Sequence, residues 1–456
     1  MSTTLARPVL EPARGRSGPG SLSLLLRTAL SAVVSFEMIV VLYIYSNVFQ
    51  VLLPPLPVDT TIVFFALSLG LAGLLVLREG IYLRGLYLVM AFLPYLFWAI
   101  LSLAWTPSRT LVYDNLKLLL TVDLGLLIIS AMVIAHKRER LVRLLTLIAA
   151  MSLFVAVLGL SVYLIYGSFK YAGWDVRRVY NEWGRAVGNG TVVFLILFLR
   201  SRLLSLRQLV LGVLVLLCVA FILLSSSRSA LLSVVTPALL FMAVNAAPPG
   251  RRGFALSRAQ ILLLLFGSAA VAGIVTLISS GYQIDTIQRL MKVLNQAENT
   301  DMLLQANRFD YYAAAVSYFF QSPIIGNGVR SFSVMMRGYE LPGSEPHNIF
   351  LELLCDTGLV GFFLFLLLLL QAIRPITLNR LRADPLLLCA AMLFTARFTT
   401  AMFGQDLAYQ NMMFFSLGLL ALRSAPQPAP DEDEAEDEEA AADEPAWAAA
   451  LPQRRA

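Results

Sequence analysis

The stretch PHNIFLELLCDTGLVGFFLFLLLLLQAI, Pro346–Ile373, decides the fold. After Pro346-His347-Asn348 the chain runs through an unbroken apolar segment, 348–373, long enough to cross a bilayer, for which about 20 mainly apolar residues suffice. The segment leading into it from Asn307 is polar and holds one of the two histidines of the chain. Five cations, Arg289, Lys292, Arg308, Arg330 and Arg337, lie along this approach. A long polar segment at the mouth of a membrane helix is where chemistry is expected in a chain this apolar.

Composition extends the argument to the whole chain. The 456 residues are 58% hydrophobic and 14% charged, with mean hydropathy +0.74. A soluble protein of this size cannot hide so much apolar surface, so lipid is the solvent for most of it. The expected fold is an all-α polytopic membrane bundle. By the span-length rule about twelve transmembrane helices are expected, at roughly 28–51, 60–78, 85–105, 114–136, 142–166, 187–200, 208–226, 229–246, 258–280, 348–373, 384–403 and 408–423. A large outer-face helical loop, 281–347, separates the ninth from the tenth. Residues 1–27 read as a disordered cytoplasmic N-terminus with an uncleaved first helix after it, 28–424 as the transmembrane domain and 425–456 as a disordered cytoplasmic tail.

The net charge of +6 conceals a basic body, because ten acidic residues fall within Asp431–Glu444; outside that block 35 cations face 19 acids, leaving +16. The cations sit in short clusters between apolar runs, a pattern of membrane topology rather than of nucleic-acid binding. With the N-terminus inside, every cytoplasmic loop carries at least two: Arg78 and Arg84; Lys137, Arg138, Arg140 and Arg143; Arg200, Arg202 and Arg207; Arg251, Arg252 and Arg258; Arg374, Arg380 and Arg382. Two outer loops break the rule. Gly167–Ala186 carries Lys170, Arg177, Arg178 and Arg185 among Tyr171, Trp174, Tyr180 and Trp183, and the long loop carries the five cations named above. Cations outside imply an anionic partner there, or, for the first loop, anchorage to lipid headgroups. The acidic tail is assigned no catalytic role.

Within the long loop, Ile284, Ile287, Leu290, Met291 and Leu294 recur at helical spacing. A second helix is expected from Asn307 to Gln321, stopped by Pro323. Gly326 and Gly328 then permit a tight turn before Ser331–Arg337. His347 is the candidate general base, since imidazole titrates nearest neutrality; the plainer reading is a histidine satisfying a local backbone contact. His136 belongs to a basic topological cluster. Cys218, Cys355 and Cys389 fall in apolar stretches without metal-ligand spacing and read as small hydrophobes. No metal and no cofactor is expected.

The segment PHNIFLELLCDTGLVG (Pro346–Gly361), preceded by NRFDYYAAAVSYFFQSPIIGNGVRSF (Asn307–Phe332), resembles the signature of the bacterial O-antigen ligase and polymerase superfamily. The matching positions are Arg308, Pro323, Gly326, Gly328, His347, Asn348, Asp356, Gly358 and Gly361. SSSRSALL (Ser225–Leu232) resembles a second element, with Arg228 in the matching place, and GRAVGNGTVVF (Gly184–Phe194) a third, with Gly-Asn-Gly where Asn-Pro-Asn is common. The resemblance implies transfer of a glycan from an undecaprenyl-pyrophosphate-linked donor to an acceptor hydroxyl, at the outer face of the bacterial inner membrane. It implies His347 as base and Arg228 and Arg308 stabilising the leaving pyrophosphate, a task suited to a permanently charged planar fork. Arg185 is an additional phosphate contact, and Arg330, Asn348, Gly326 and Gly328 are further substrate-binding candidates. Asn348 or Asp356 is the candidate to orient His347, and for Arg228 snorkelling from a helix end is the plain alternative.

Ligation onto a different acceptor lipid or glycan and polymerisation of lipid-linked repeat units share this signature. A more distant alternative is a flippase or exporter of lipid-linked sugars, suggested by Glu37 and Asp123 inside expected spans. A structural scaffold would leave the outer cations unexplained.

Overall fold

The computed structural model describes residues 33, 35–52, 59–166, 183–202, 205–225, 228–246, 260–265, 267–268, 308–404 and 406–423. The described residues are helical, with no strand among them. In chain order the helices are α1 Phe36–Ile44, α2 Ser46–Leu52, α3 Thr60–Glu79, α4 Leu83–Leu101, α5 Leu111–Ile134, α6 Arg138–Tyr166, α7 Gly184–Arg200 and α8 Leu206–Leu224. They continue as α9 Arg228–Val244, α10 Arg308–Gln321, α11 Ser331–Arg337, α12 Ile349–Ile373, α13 Leu378–Ala383, α14 Pro385–Ala401 and α15 Asn411–Leu419.

Six of these are long and apolar enough to cross a membrane: α3, α4 (with its continuation to Ala104), α5, α6, α8 and α12. Among the described residues, six of the twelve expected spans are thus met by length and composition. The first expected span is divided between α1 and α2 at Tyr45, and the last is a nine-residue α15 behind a single 3-10 turn, Leu407–Tyr409. Two shorter apolar helices lie at Ser229–Val244 and Pro385–Ala401, and α7 has 17 residues. Of the expected 258–280 span only 260–265 and 267–268 are described. The amphipathic segment Ile284–Leu294, most of the aromatic loop Gly167–Ala186 and the acidic tail lie outside the described residues.

Helix ends follow local chemistry. Asp59 caps α3 by accepting from Thr61 N at 2.8 Å, and Asp384 caps α14 ahead of Pro385. Asp384 also holds Arg138 through two 2.6 Å contacts. At the same end of the bundle Glu37, buried in α1, pairs with Arg143 at 3.1 Å, and Arg140 binds Glu79 at 2.6 Å. Glu37 is therefore held by arginines of α6. Asp123, in a π-helical turn of α5, is fully buried, and neither of its oxygens has a hydrogen-bond partner among the described residues.

The feature that shapes the site is a break in α12. Gly358 leaves the helix at φ 64°, ψ −166°, a conformation glycine adopts without a side-chain clash. The freed backbone groups are taken by the loop behind α10: Leu359 N donates to Pro323 O at 2.9 Å and Val360 N to Ile324 O at 3.1 Å. In return Asn327 N donates to Cys355 O at 3.0 Å and Gly328 N to Asp356 O at 2.8 Å. Irregular backbone at such a place persists only where protein satisfies it, as here. A Cβ on Gly326 would lie 2.3 Å from Asp356 O, so the loop meets the helix at a distance only glycine allows. Trp105 Nε1 donates to Gly326 O at 3.1 Å and Trp98 Nε1 to Thr357 O at 3.0 Å, fastening the interlock to α4.

Candidate active site

Four segments meet around His347. The loop after α11 returns to α12 through Glu345-Pro346-His347, and Asn348 caps the helix by accepting from Phe350 N at 3.0 Å and Leu351 N at 3.1 Å. His347 takes φ 56°, rare for a residue with a side chain and the kind of local strain that clusters at functional sites. Its Nδ1 lies 3.0 Å from Gly404 O in the turn between α14 and α15. A carbonyl oxygen only accepts, so Nδ1 carries the hydrogen and Nε2 carries the lone pair of the neutral ring. Tyr311, one turn into α10, meets the imidazole edge-on with centroids 6.0 Å apart. The side chain is 26% exposed, so the ring is held without being sealed.

Gly404 joins His347 to Arg185. A Cβ on Gly404 would lie 3.7 Å from Arg185 Nη2, while Gly404 O is the partner of His347. Arg185, at the start of α7, donates from Nε to Ser229 Oγ at 3.3 Å, and Ser229 follows Arg228 at the start of α9. Arg397 of α14 ties this corner together, donating to Arg185 O and to Asn189 Oδ1, both at 2.9 Å. Arg308 opens α10 one turn before Tyr311. The structure therefore brings the backbones of Arg185, Arg228 and Arg308 to the segments around His347. The side chains of Arg228 and Arg308 lie outside what is described.

Arg330 is placed differently from the sequence expectation. It is 6% exposed and turned into the protein, with Nη1 2.5 Å from Asp406 Oδ2 and 3.6 Å from Glu345 Oε2. Its backbone, at φ 64°, donates to Asp356 Oδ2 at 2.8 Å. Burial works against its charge, but Asp406, Glu345, Glu352 and Asp356 outweigh burial and raise its pKa above the ordinary arginine value. Carboxylates, not an open cleft, occupy this guanidinium. Asp356 accepts from Arg330 N and from Ser331 Oγ at 2.8 Å, so it pins the loop rather than reaching His347. Gly328 N donates to Asp356 O and Gly326 N to Ser322 O, which engages both amides inside the protein.

Glu345 sits between Arg330 and His347, with Oε1 3.8 Å from His347 Nδ1. Burial, reinforced by Asp406, pushes its carboxyl up to about 7 against the pull of Arg330. Asp406 also accepts from Asn115 Nδ2 at 3.1 Å, and both oxygens of Glu352 accept from Leu407 N at 3.0 Å. Gly404, Asp406, Glu345, Glu352 and Arg397 were not anticipated from sequence. One signal was present: Asp406 is the only acidic residue between Pro385 and Leu422, an apolar stretch where an acid needs a partner.

No curated protein matches the chain. Residues 213–366 match the family model described as O-antigen ligase, a segment that takes in α9, α10, the interlocked loop, His347 and the Gly358 break. Its limits enclose most of the constellation just described and stop short of the 402–410 turn. Over residues 213–366 the chain thus matches the O-antigen ligase family, which supports the resemblance to the O-antigen ligase and polymerase superfamily read from the sequence.

Proposed function

We propose that this membrane protein transfers a glycan from an undecaprenyl-pyrophosphate donor to an acceptor hydroxyl at the outer face of the bacterial inner membrane. The observation that carries the reading is the fixed imidazole: Nδ1–H donated to Gly404 O leaves Nε2 as the proton acceptor. The acceptor O–H gives its proton to Nε2 as its oxygen bonds to the anomeric carbon, and the bond from that carbon to the pyrophosphate breaks. Charge developing on the leaving pyrophosphate is stabilised by Arg228 and Arg308, with Arg185 beside them. Asn348 and the two loop glycines shape the site through the backbone.

Ligation is the reading adopted, with polymerisation of lipid-linked repeat units as its alternative; the two differ only in the acceptor. A second class, a proton-coupled flippase, draws support from the buried Asp123. Against it stand the pairing of Glu37 with arginine and the closure of the α12 break by the loop backbone. A gene deletion discriminates the three. Long lipid-linked chains accumulating outside indicate a ligase, and single lipid-linked repeat units indicate a polymerase. Donor trapped on the inner side indicates a flippase and overturns the proposal. Arg308→Lys, which keeps charge but loses the planar fork, is expected to lower transfer sharply; wild-type transfer would remove Arg308 from the mechanism.

A further inference from the structure

At the far end of α12 from His347 is a cavity of about 290 Å³, lined by Leu83, Arg84, Tyr87, Leu88, Gln371, Ala372, Pro375 and Ala421. Two smaller cavities near the acidic cluster, each about 10 Å³, hold at most a water molecule. The large one is two-faced. Its walls are apolar and continue onto surface where Leu83, Tyr87, Leu370 and Ile373 are exposed, as lipid-facing residues are. Its polar side chains include Arg84 and Gln371, and among the described residues no acid lines it.

The absence of a carboxylate from this lining sets Arg84 apart from its neighbours. At this end of the bundle Lys137 and Arg140 bind Glu79, Arg138 binds Asp384, and Arg143 binds Glu37. Arg84 instead donates to two main-chain carbonyls, Leu422 O at 3.2 Å and Leu420 O at 3.3 Å, which orient the guanidinium without neutralising it. A second cation sits at the rim: Arg380 Nη1 donates to Pro375 O at 2.5 Å, and its charge repels that of Arg84. Two like charges drawn to one mouth, with apolar walls leading into the hydrocarbon, fit a ligand that is anionic at one end and apolar at the other. Ligand pockets span roughly 300–1,000 Å³, so this volume suits a headgroup with its chains left in the bilayer.

We propose that this cavity holds the headgroup of an anionic phospholipid of the surrounding bilayer, with its phosphate on Arg84 and Arg380. The proposal is independent of the glycan-transfer reading. The full-length protein, purified in detergent, is exchanged into micelles doped with equal phosphatidylglycerol and phosphatidylcholine, and retained lipid is measured by native mass spectrometry. Wild type is expected to retain phosphatidylglycerol preferentially. Arg84→Gln and Arg380→Gln should each lower that preference about fivefold, the factor expected from one cation near an anionic surface. Ala372→Phe, which fills the cavity without touching charge, should lower it as well. Equal retention of the two lipids by wild type overturns the proposal, as does an unchanged preference in Ala372→Phe and Arg380→Gln. Those two variants decide the matter if Arg84→Gln fails to elute as a monodisperse protein. Displacement of the lipid by an equal concentration of inorganic phosphate would assign the site to a soluble anion and also overturn it.

Discussion

Asp406→Ala probes the link between the buried ion pair and His347, the proposed base. Arg330 and Asp406 are 6% and 1% exposed and 2.5 Å apart. Removing one member of such a pair strands the other charge away from water, at about 3–5 kcal/mol. Glu345, 3.6 Å from the same guanidinium, offsets part of that where it is ionised. Asn115 Nδ2 loses its acceptor as well, adding about 1 kcal/mol. The turn that carries Asp406 also carries Gly404, so its displacement lengthens the hydrogen bond that fixes the His347 tautomer. Loss of that bond alone, worth about 1 kcal/mol, changes the tautomer ratio roughly fivefold. The expected result is a lower midpoint for heat-induced aggregation of the purified protein, with a transfer rate reduced at least about fivefold. The control is Arg330→Met with Asp406→Leu, which removes both charges and restores most of the stability, since buried pairs exchange for apolar residues at little penalty. A single variant with wild-type midpoint and rate would refute the reasoning. A double variant no more stable than the single would refute it too.

His347→Ala should abolish transfer while leaving expression and membrane insertion intact, and retained glycan product in a reconstituted assay would exclude it as the base. Gly358→Ala forces a side chain into φ 64° with its Cβ 2.4 Å from Ile324 O. Little monodisperse protein should be recovered on size-exclusion chromatography, and wild-type yield would disprove the interlock. Folding raises the Glu345 carboxyl from its ordinary 4.5 to about 7, so the folded state binds the extra proton in that window. The contribution of Glu345 to stability is full below pH 4.5 and lost as pH rises to about 7. Glu345→Gln should therefore flatten denaturation midpoints across that window, and an unchanged slope would contradict the assignment.

Local pattern carried much of this site. The second loop helix and its stop before Pro323, the glycine turn and Ser331–Arg337 are read from propensity and punctuation, and each is present. His347 at the mouth of α12 follows from the change of polarity at Asn348. What sequence could not supply is partnership across distance. Arg330 looks like one more outer cation until Asp406, 76 positions away, is seen against it. The lone acid after α14 and the arginine before α11 each suggest a partner, but nothing local pairs them. The pairing of Glu37 was hidden for the same reason, because its arginines belong to α6. The break at Gly358 was hidden inside an apolar run that is uniform by composition, since the polar groups it frees are main-chain atoms. The span count is met only in part among the described residues, where α15 and the α1–α2 pair are too short to qualify by length.

The exchange of backbone hydrogen bonds between the loop at Pro323–Gly328 and the broken α12 has a mechanical consequence. Four main-chain bonds join the two segments, and two tryptophans of the α4 region brace them. Parting them would expose amides and carbonyls to hydrocarbon, at several kcal/mol for each. The underside of the candidate site is therefore an anvil, a seam that resists parting. On the proposed function, donor and acceptor would meet His347 against a wall that does not yield. The loop at Glu340 is fastened differently, to Ser108 and Thr110 through the carboxylate of a side chain nearer the surface, where water can replace the bonds that part.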